Sequence, residues 1–362
     1  MADPMQYKCP NCGGQLEFDS ASQNMKCPFC ISEFDVQSLR TMDEQLNAAP
    51  AEDESSMNWE TEAGSEWSQG EADNLRVYSC QSCGGEVIAD ATTGASKCPY
   101  CENPVIMTGQ FSGDLKPDIV IPFKLDKEAA KAALLKHMEG KPLLPKIFKS
   151  QNQIDEIKGV YVPVWLFDAD VNADIHYRAK KEKRWSDANY KYTETQIFSV
   201  RRRGRLSFSN VPVDGSTKME DAMMESLEPF DCKQAVPFQT AFLSGYLADR
   251  YDVDADASVE RANKRIEQST LDEFRKTLNG YDSVTVEHKN IHLQNGQAKY
   301  ALYPVWLLNT TWNDQKFTFG MNGQTGKFVG NLPTDKGKAA LIFAIVTVAA
   351  TVITYLIRMF LQ

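Results

Sequence analysis

Three different hydrophobic patterns follow one another along this chain. From Ala339 to Ile357 (AALIFAIVTVAATVITYLI) nineteen consecutive residues carry no charge. A helix of that length spans roughly 28 Å, close to the ~30 Å hydrocarbon core of a bilayer, and it lacks the polar stripe of a helix packed into a soluble core. That predicts one transmembrane helix at 339–357. Residues from about 115 to 335 alternate between strand-like and helix-like periods. Ile119 to Phe123 predicts a strand, Lys127 to Glu139 a helix with Asp126 as N-cap and Gly140 as stop, and Val162-Pro163-Val164-Trp165-Leu166 a second strand. The order recurs as Val236-Pro237-Phe238, a helix from about Ser258 to Leu278, and Tyr303-Pro304-Val305-Trp306-Leu307. This predicts an α+β body with a diverged internal repeat, in two lobes of about 115–210 and 230–335. Asn295-Gly296, between Thr285 to Leu293 and Ala298 to Leu308, predicts a two-residue hairpin turn. Asn322-Gly323 predicts a second hairpin, between Phe317 to Met321 and Lys327 to Val329.

The third pattern is an absence of pattern. Between Arg40 and Arg76 there are ten acidic residues and no Lys or Arg, so most of the net charge of −10 over 362 residues sits there. Residues 37–76 lack periodic apolar positions and read as a disordered acidic linker. Trp59 and Trp67 within it read as incidental aromatics or as a short docking motif.

Eight of the nine cysteines form two copies of one arrangement. Cys9, Cys12, Cys27 and Cys30 lie within 1–36, and Cys80, Cys83, Cys98 and Cys101 within 77–108, each set with fourteen residues between its inner cysteines. Two residues between cysteines let one tight turn aim both sulfurs at a single ion, and Gly13 and Gly84 accept the left-handed backbone such a turn needs. Four thiolates make a closed, structural zinc site, so two zinc ribbons holding two structural Zn2+ ions are expected. Ligand type alone does not separate zinc from iron. The opening residues carry no signal-peptide pattern, and a reducing compartment disfavours a disulfide framework. Lys327, Lys336 and Lys338 precede the apolar span and Arg358 alone follows it. The positive-inside rule therefore expects a single-pass protein of the cell membrane with its N-terminal body in the cytoplasm.

Ser207 to Asp231 (SFSNVPVDGSTKMEDAMMESLEPFD), Tyr300 to Trp312 (YALYPVWLLNTTW) and Phe319 to Lys338 (FGMNGQTGKFVGNLPTDKGK) resemble a bacterial family of TFIIB-type zinc-ribbon proteins with a C-terminal membrane anchor. The similarity covers nearly the whole chain. It implies a membrane-bound accessory protein with no established enzymatic reaction, in some cases encoded beside flotillin-like (SPFH) and phage-shock-type membrane-stress proteins. Members are often labelled primosomal or helicase-like.

The residues themselves argue against the helicase label. Gly323-Gln324-Thr325-Gly326-Lys327-Phe328 places Met321 where a P-loop needs its first glycine and Phe328 where it needs a hydroxyl. His288 and His292 fall in an alternating strand. Asp252, Asp254 and Asp256 lack the glycine and glutamate of a calcium loop. Cys232 reads as a spare thiol. Two basic clusters, Arg178 to Arg184 and Arg201 to Arg205, flank Trp185, Tyr190, Tyr192 and Phe198, and together they suit anionic lipid headgroups better than nucleic acid. The expectation is a non-enzymatic membrane adaptor with two outward-reaching ribbons, protein partners and a lipid contact. The alternative is a nucleic-acid-binding zinc-ribbon protein.

Overall fold

The computed structural model describes residues 7–47, 57–93, 95–110, 115–149, 154, 156–313 and 315–360. In chain order the elements are β1 (Glu17–Asp19), β2 (Asn24–Lys26), β3 (Glu33–Phe34), α1 (Val36–Asn47), β4 (Met57–Glu60), β5 (Leu75–Ser79), β6 (Glu86–Asp90), β7 (Ile106–Gln110) and β8 (Ile119–Val120). There follow α2 (Lys127–Met138), β9 (Lys158–Ser186), β10 (Lys191–Asp214), α3 (Asp221–Leu227), β11 (Val236–Pro237) and β12 (Leu247–Asp249). The chain continues through α4 (Ala255–Lys276), β13 (Ser283–Trp312), β14 (Gln315–Asn322), β15 (Phe328–Gly330) and α5 (Lys336–Phe360). The α+β class is as expected, with two four-cysteine groups and one C-terminal apolar helix.

The chain divides into two compact units whose limits differ from the expected lobes. The first comprises residues 1–60, 168–209 and 263–296, and the second residues 61–167, 210–262 and 297–362. The boundaries fall inside β9, β10, α4 and β13, so these long elements contribute to both, and the element order does not show the internal repeat.

In the second unit the strand order is β11-β8-β13-β9-β12-β6-β5-β7, with β14 on β13 and β15 on β14. β8 runs parallel to β13 (Ile119↔Ala301), and β12 parallel to β9 (Ala248↔Tyr161). The near-continuous apolar run of β13 has a physical reason, because both faces of that strand are covered. Ala301, Tyr303, Val305 and Leu307 point into one buried cluster, while Trp306 and Leu308 point into another. The second cluster is closed by α2, whose Ala130, Leu134 and Met138 recur at helical spacing. Asp126 caps that helix by accepting from the Ala129 amide at 2.8 Å, and Gly140 behind it takes φ +67°. The Asn322-Gly323 hairpin forms as expected, with Met321 opposite Phe328.

The Asn295-Gly296 hairpin does not form. β13 runs unbroken for 30 residues through that dipeptide. Asn295 takes the left-handed φ of +53° that the motif provides, but its side chain donates to Asp170 at 3.0 Å inside the first unit, and the strand continues. The linker is also corrected. Val36–Asn47 forms α1, Leu39 is buried against the first ribbon, and residues 57–76 carry β4 and the start of β5. Within the first unit the Trp59 indole donates to Asn263 at 2.8 Å, and within the second Trp67 lies edge-on to Phe238, so both tryptophans act as internal anchors. Residues 48–56 of that stretch lie outside the described residues.

Helix α5 is long and apolar enough to cross a membrane, and its apolar window is unburied throughout. Phe343, Val348 and Tyr355 are among its exposed large side chains.

Candidate metal centres

Each cysteine set is built from two identical turns. In the first centre the amides of Gly13 and Ile31 donate to the carbonyls of Cys9 and Cys27 at 2.8 and 2.9 Å. In the second, Gly84 and Glu102 donate to Cys80 and Cys98 at 2.8 and 3.1 Å. The residue closing all four turns is left-handed: Gly13 at +76°, Ile31 at +61°, Gly84 at +69° and Glu102 at +63°. The two glycines are visible in the sequence, whereas Ile31 and Glu102 carry no such signal. Ile31 is the costliest of the four, because a β-branched side chain crowds the backbone at positive φ.

All four sulfurs of each set lie within 4.8 Å of one another. Cys9 to Cys30 and Cys12 to Cys27 are each 3.5 Å apart, Cys80 to Cys101 3.4 Å and Cys83 to Cys98 3.7 Å. Four sulfurs about 2.3 Å from one ion in a tetrahedron sit roughly 3.8 Å from each other, whereas a disulfide brings them to ~2.05 Å. The donor sets therefore fit a metal ion and not crosslinks. All eight expected ligands are brought together, four and four.

The surroundings of the two centres differ. The first has a core of four buried residues, Cys9, Leu16, Cys27 and Leu39. Its Pro28-Phe29 turn is bare, with Phe29 and Ile31 each 74% exposed and Phe18 56%. The second belongs to the core of the second unit, where Cys80, Cys98 and Tyr100 share one buried cluster with Val87, Val162, Val305 and Leu307. The equivalent turn is plugged there, since Tyr100 is 5% exposed and the Asn309 amide donates to the Pro99 carbonyl at 2.5 Å. Strand β6 of this ribbon also pairs with β12 through Ile88 and Ala248. The expectation of a second ribbon reaching outward on a tether is thus corrected. Its apolar Val87-Ile88-Ala89 and its Tyr100 need a bed, and the sheet supplies one.

Electrostatics follow this packing. Burial pushes the Cys9 thiol up to about 12, while the Ser32 hydroxyl and amide beside Cys30 bring that thiol down to about 6. Burial raises Cys98 strongly, and Cys101 is brought down to about 7 against the upward pull of its own burial by the Asn103 amide and side chain. One cluster was not legible in the sequence. The Tyr100 hydroxyl, both carboxylate oxygens of Asp249 and one of Asp214 are buried and make no hydrogen bond among the described residues. Burial pushes Asp214 up to about 8 and Asp249 up to about 7.

A pH dependence follows. An unfolded aspartate loses its proton near 3.9, but the native chain keeps these two until pH 7 to 8, so the native state binds more protons in between. Stability should therefore fall as pH rises from about 5 to 7, by up to ~1.4 kcal/mol per pH unit for each protonated carboxyl. Melting temperatures at pH 5.5, 6.5 and 7.5 measure this. Asp214→Asn and Asp249→Asn should flatten the slope, and an equally steep slope in the double variant would contradict the assignment.

The remaining sequence candidates are dispersed. His288 is exposed and His292 half-buried in β13. Asp252 accepts from the Thr217 amide at 2.7 Å, and Asp254 accepts from the Ala257 amide at 2.7 Å to cap α4, so the aspartates serve local structure. Cys232 lies 3.2 Å from the Tyr303 hydroxyl. Among the described residues, no groups of three or more His, Cys, Asp or Glu gather their ligand atoms apart from the two cysteine sets.

Over 338 residues the chain is 32% identical to YdjG of Bacillus subtilis (strain 168), described as an uncharacterized protein, with 93% of each chain covered. The chain belongs to the YdjG family. No family model and no solved structure matches it. Membership in the YdjG family rests on a match over most of the chain and not on a short cysteine motif alone.

Proposed function

We propose that the protein is a non-enzymatic, zinc-loaded adaptor, anchored by α5 with its N-terminal body in the cytoplasm, and that its first ribbon recruits a protein partner to the membrane. The observation that carries this is the contrast between two copies of one turn. Pro99-Tyr100 is seated in a sheet with a carboxamide on its carbonyl, whereas Pro28-Phe29 and Ile31 stand open. Exposed apolar side chains at a strained turn are costly for the free chain and suit an interface. The resemblance to membrane-stress zinc-ribbon proteins makes an SPFH-type or phage-shock-type protein the first candidate partner.

Lipid contact belongs to one of the two basic clusters. Arg201 and Arg203 both bind Asp174, at 2.5 and 2.7 Å, and hold it at about 2 against the pull of burial, so their charge is engaged. Lys181 and Lys183 are exposed at the end of the β9–β10 hairpin, beside Trp185 stacked on Tyr192, while Arg184 pairs with Glu182 at 2.5 Å. Cations with interfacial aromatics suit an anionic leaflet. Nucleic acid is the weaker reading, because the first ribbon holds only Lys8 and Lys26, and Lys26 pairs with Glu33 at 3.1 Å.

Affinity purification from detergent-solubilised membranes tests the adaptor reading. Wild type should co-purify a stoichiometric protein that Phe29→Asp/Ile31→Asp loses while still carrying both metals. An unchanged partner set, or a salt-sensitive complex with DNA or RNA in its place, would overturn it.

A further inference from the structure

The two centres present their sulfurs to solvent unequally. In the first, Cys12 and Cys30 are exposed, while Cys9 and Cys27 are buried. Each exposed sulfur lies 3.5 Å from a buried one, Cys30 from Cys9 and Cys12 from Cys27. In the second, Cys83 and Cys101 are half-buried, and Cys80 and Cys98 are sealed inside the sheet core under Tyr100. Among the described residues, the first centre's buried support apart from its ligands is Leu16 and Leu39, with Tyr7, Met25 and Phe34 partly buried against them. Segments with so few buried contacts open locally at low cost.

We propose that the first centre is a peroxide-sensitive metal switch and the second a permanent structural site. Hydrogen peroxide reaches the thiolate of Cys12 or Cys30. The sulfur attacks the peroxide oxygen, the O–O bond breaks, and a sulfenic acid and a hydroxide form, the latter taking a proton to become water. The thiolate of the adjacent buried cysteine, Cys27 or Cys9, then attacks the sulfenic sulfur. An S–S bond forms and the departing hydroxide is protonated to a second water. Two thiolates have thus supplied the two electrons that reduce the peroxide, and two protons come from solvent. The metal ion keeps two of its four ligands and leaves. A ribbon of this size cannot hold its fold without the ion, so oxidation dismantles the Phe29 and Ile31 face, and a dithiol reductant with zinc rebuilds it.

This inference concerns the metal chemistry of the first ribbon and stands whether or not that ribbon recruits a partner. The test uses the full chain loaded with zinc in detergent micelles, treated with hydrogen peroxide in the presence of a metallochromic indicator. Release of one zinc equivalent should be at least about tenfold faster than release of the second. Peptide mass spectrometry at the end of the fast phase should find disulfides among Cys9, Cys12, Cys27 and Cys30 and none among Cys80, Cys83, Cys98 and Cys101. Dithiothreitol with added zinc should restore the first equivalent. Release of both ions at the same rate, loss of the second ion first, or a fast phase that leaves the first four cysteines as thiols would overturn the proposal.

Discussion

Cys98→Ser is expected to unfold the second unit, and Cys12→Ser to unfold only the first ribbon. A structural zinc site contributes an apparent ~10–16 kcal/mol of binding free energy at neutral pH, comparable to or larger than the ~5–15 kcal/mol stability of a whole domain. The outcome therefore depends on what rests on each ion. Around the second cysteine set lies a cluster that holds Val160, Val162, Val164, Leu166, Ala301, Tyr303, Val305 and Leu307 together. Losing a ligand there leaves buried thiols without their ion and removes the support of Tyr100 in the same step. Around the first set lie Leu16 and Leu39, with Tyr7, Met25 and Phe34 partly buried against them. Elemental analysis should find about two zinc ions per chain in wild type and about one in Cys12→Ser, with the main thermal transition retained in the latter. Cys98→Ser should lose that transition. Loss of both ions in Cys12→Ser would show that the two centres depend on each other.

Removal of Ala339 onward is expected to move the protein from the membrane fraction to the soluble fraction. Each Leu, Ile, Phe or Val at the centre of a spanning helix favours insertion by ~0.3–0.6 kcal/mol, and α5 is rich in them and unburied. The hairpin cations near Trp185 gain only ~1 kcal/mol each at an anionic surface, and salt screens that gain. The truncated chain should therefore bind anionic vesicles weakly and leave them at high salt. Sedimentation with membranes in 1 M salt would show that α5 is not the main anchor.

The parts that were legible in the sequence are those set by local chemistry. Eight cysteines at fixed spacing, the Asp126 cap, the Asn322-Gly323 hairpin and the apolar run of α5 each depend on residues within one or two turns of chain. The misread parts depend on distant partners. Asn295-Gly296 has the chemistry of a turn, yet Asp170 lies across from it and the strand continues. Trp59 and Trp67 look stray in an acidic stretch until Asn263 and Phe238 receive them. The second ribbon looks like the first until Tyr100 meets the sheet.

The parallel pairing of Ile119 with Ala301, and the hydrogen bond from Asn309 to Pro99, also fix an order of assembly during synthesis. The first ribbon is complete in sequence once Phe34 has emerged and can take up its ion at once. The second set of cysteines is complete at Cys101, but Asn309, whose amide donates to the Pro99 carbonyl, is made some two hundred residues later. Until then the Pro99 carbonyl lacks the donor that it has in the finished protein. Non-local sheets of this kind close slowly and expose apolar edges while they wait. The second knuckle thus depends on a partner far along the chain, whereas the first, closed by residues up to Leu39, does not.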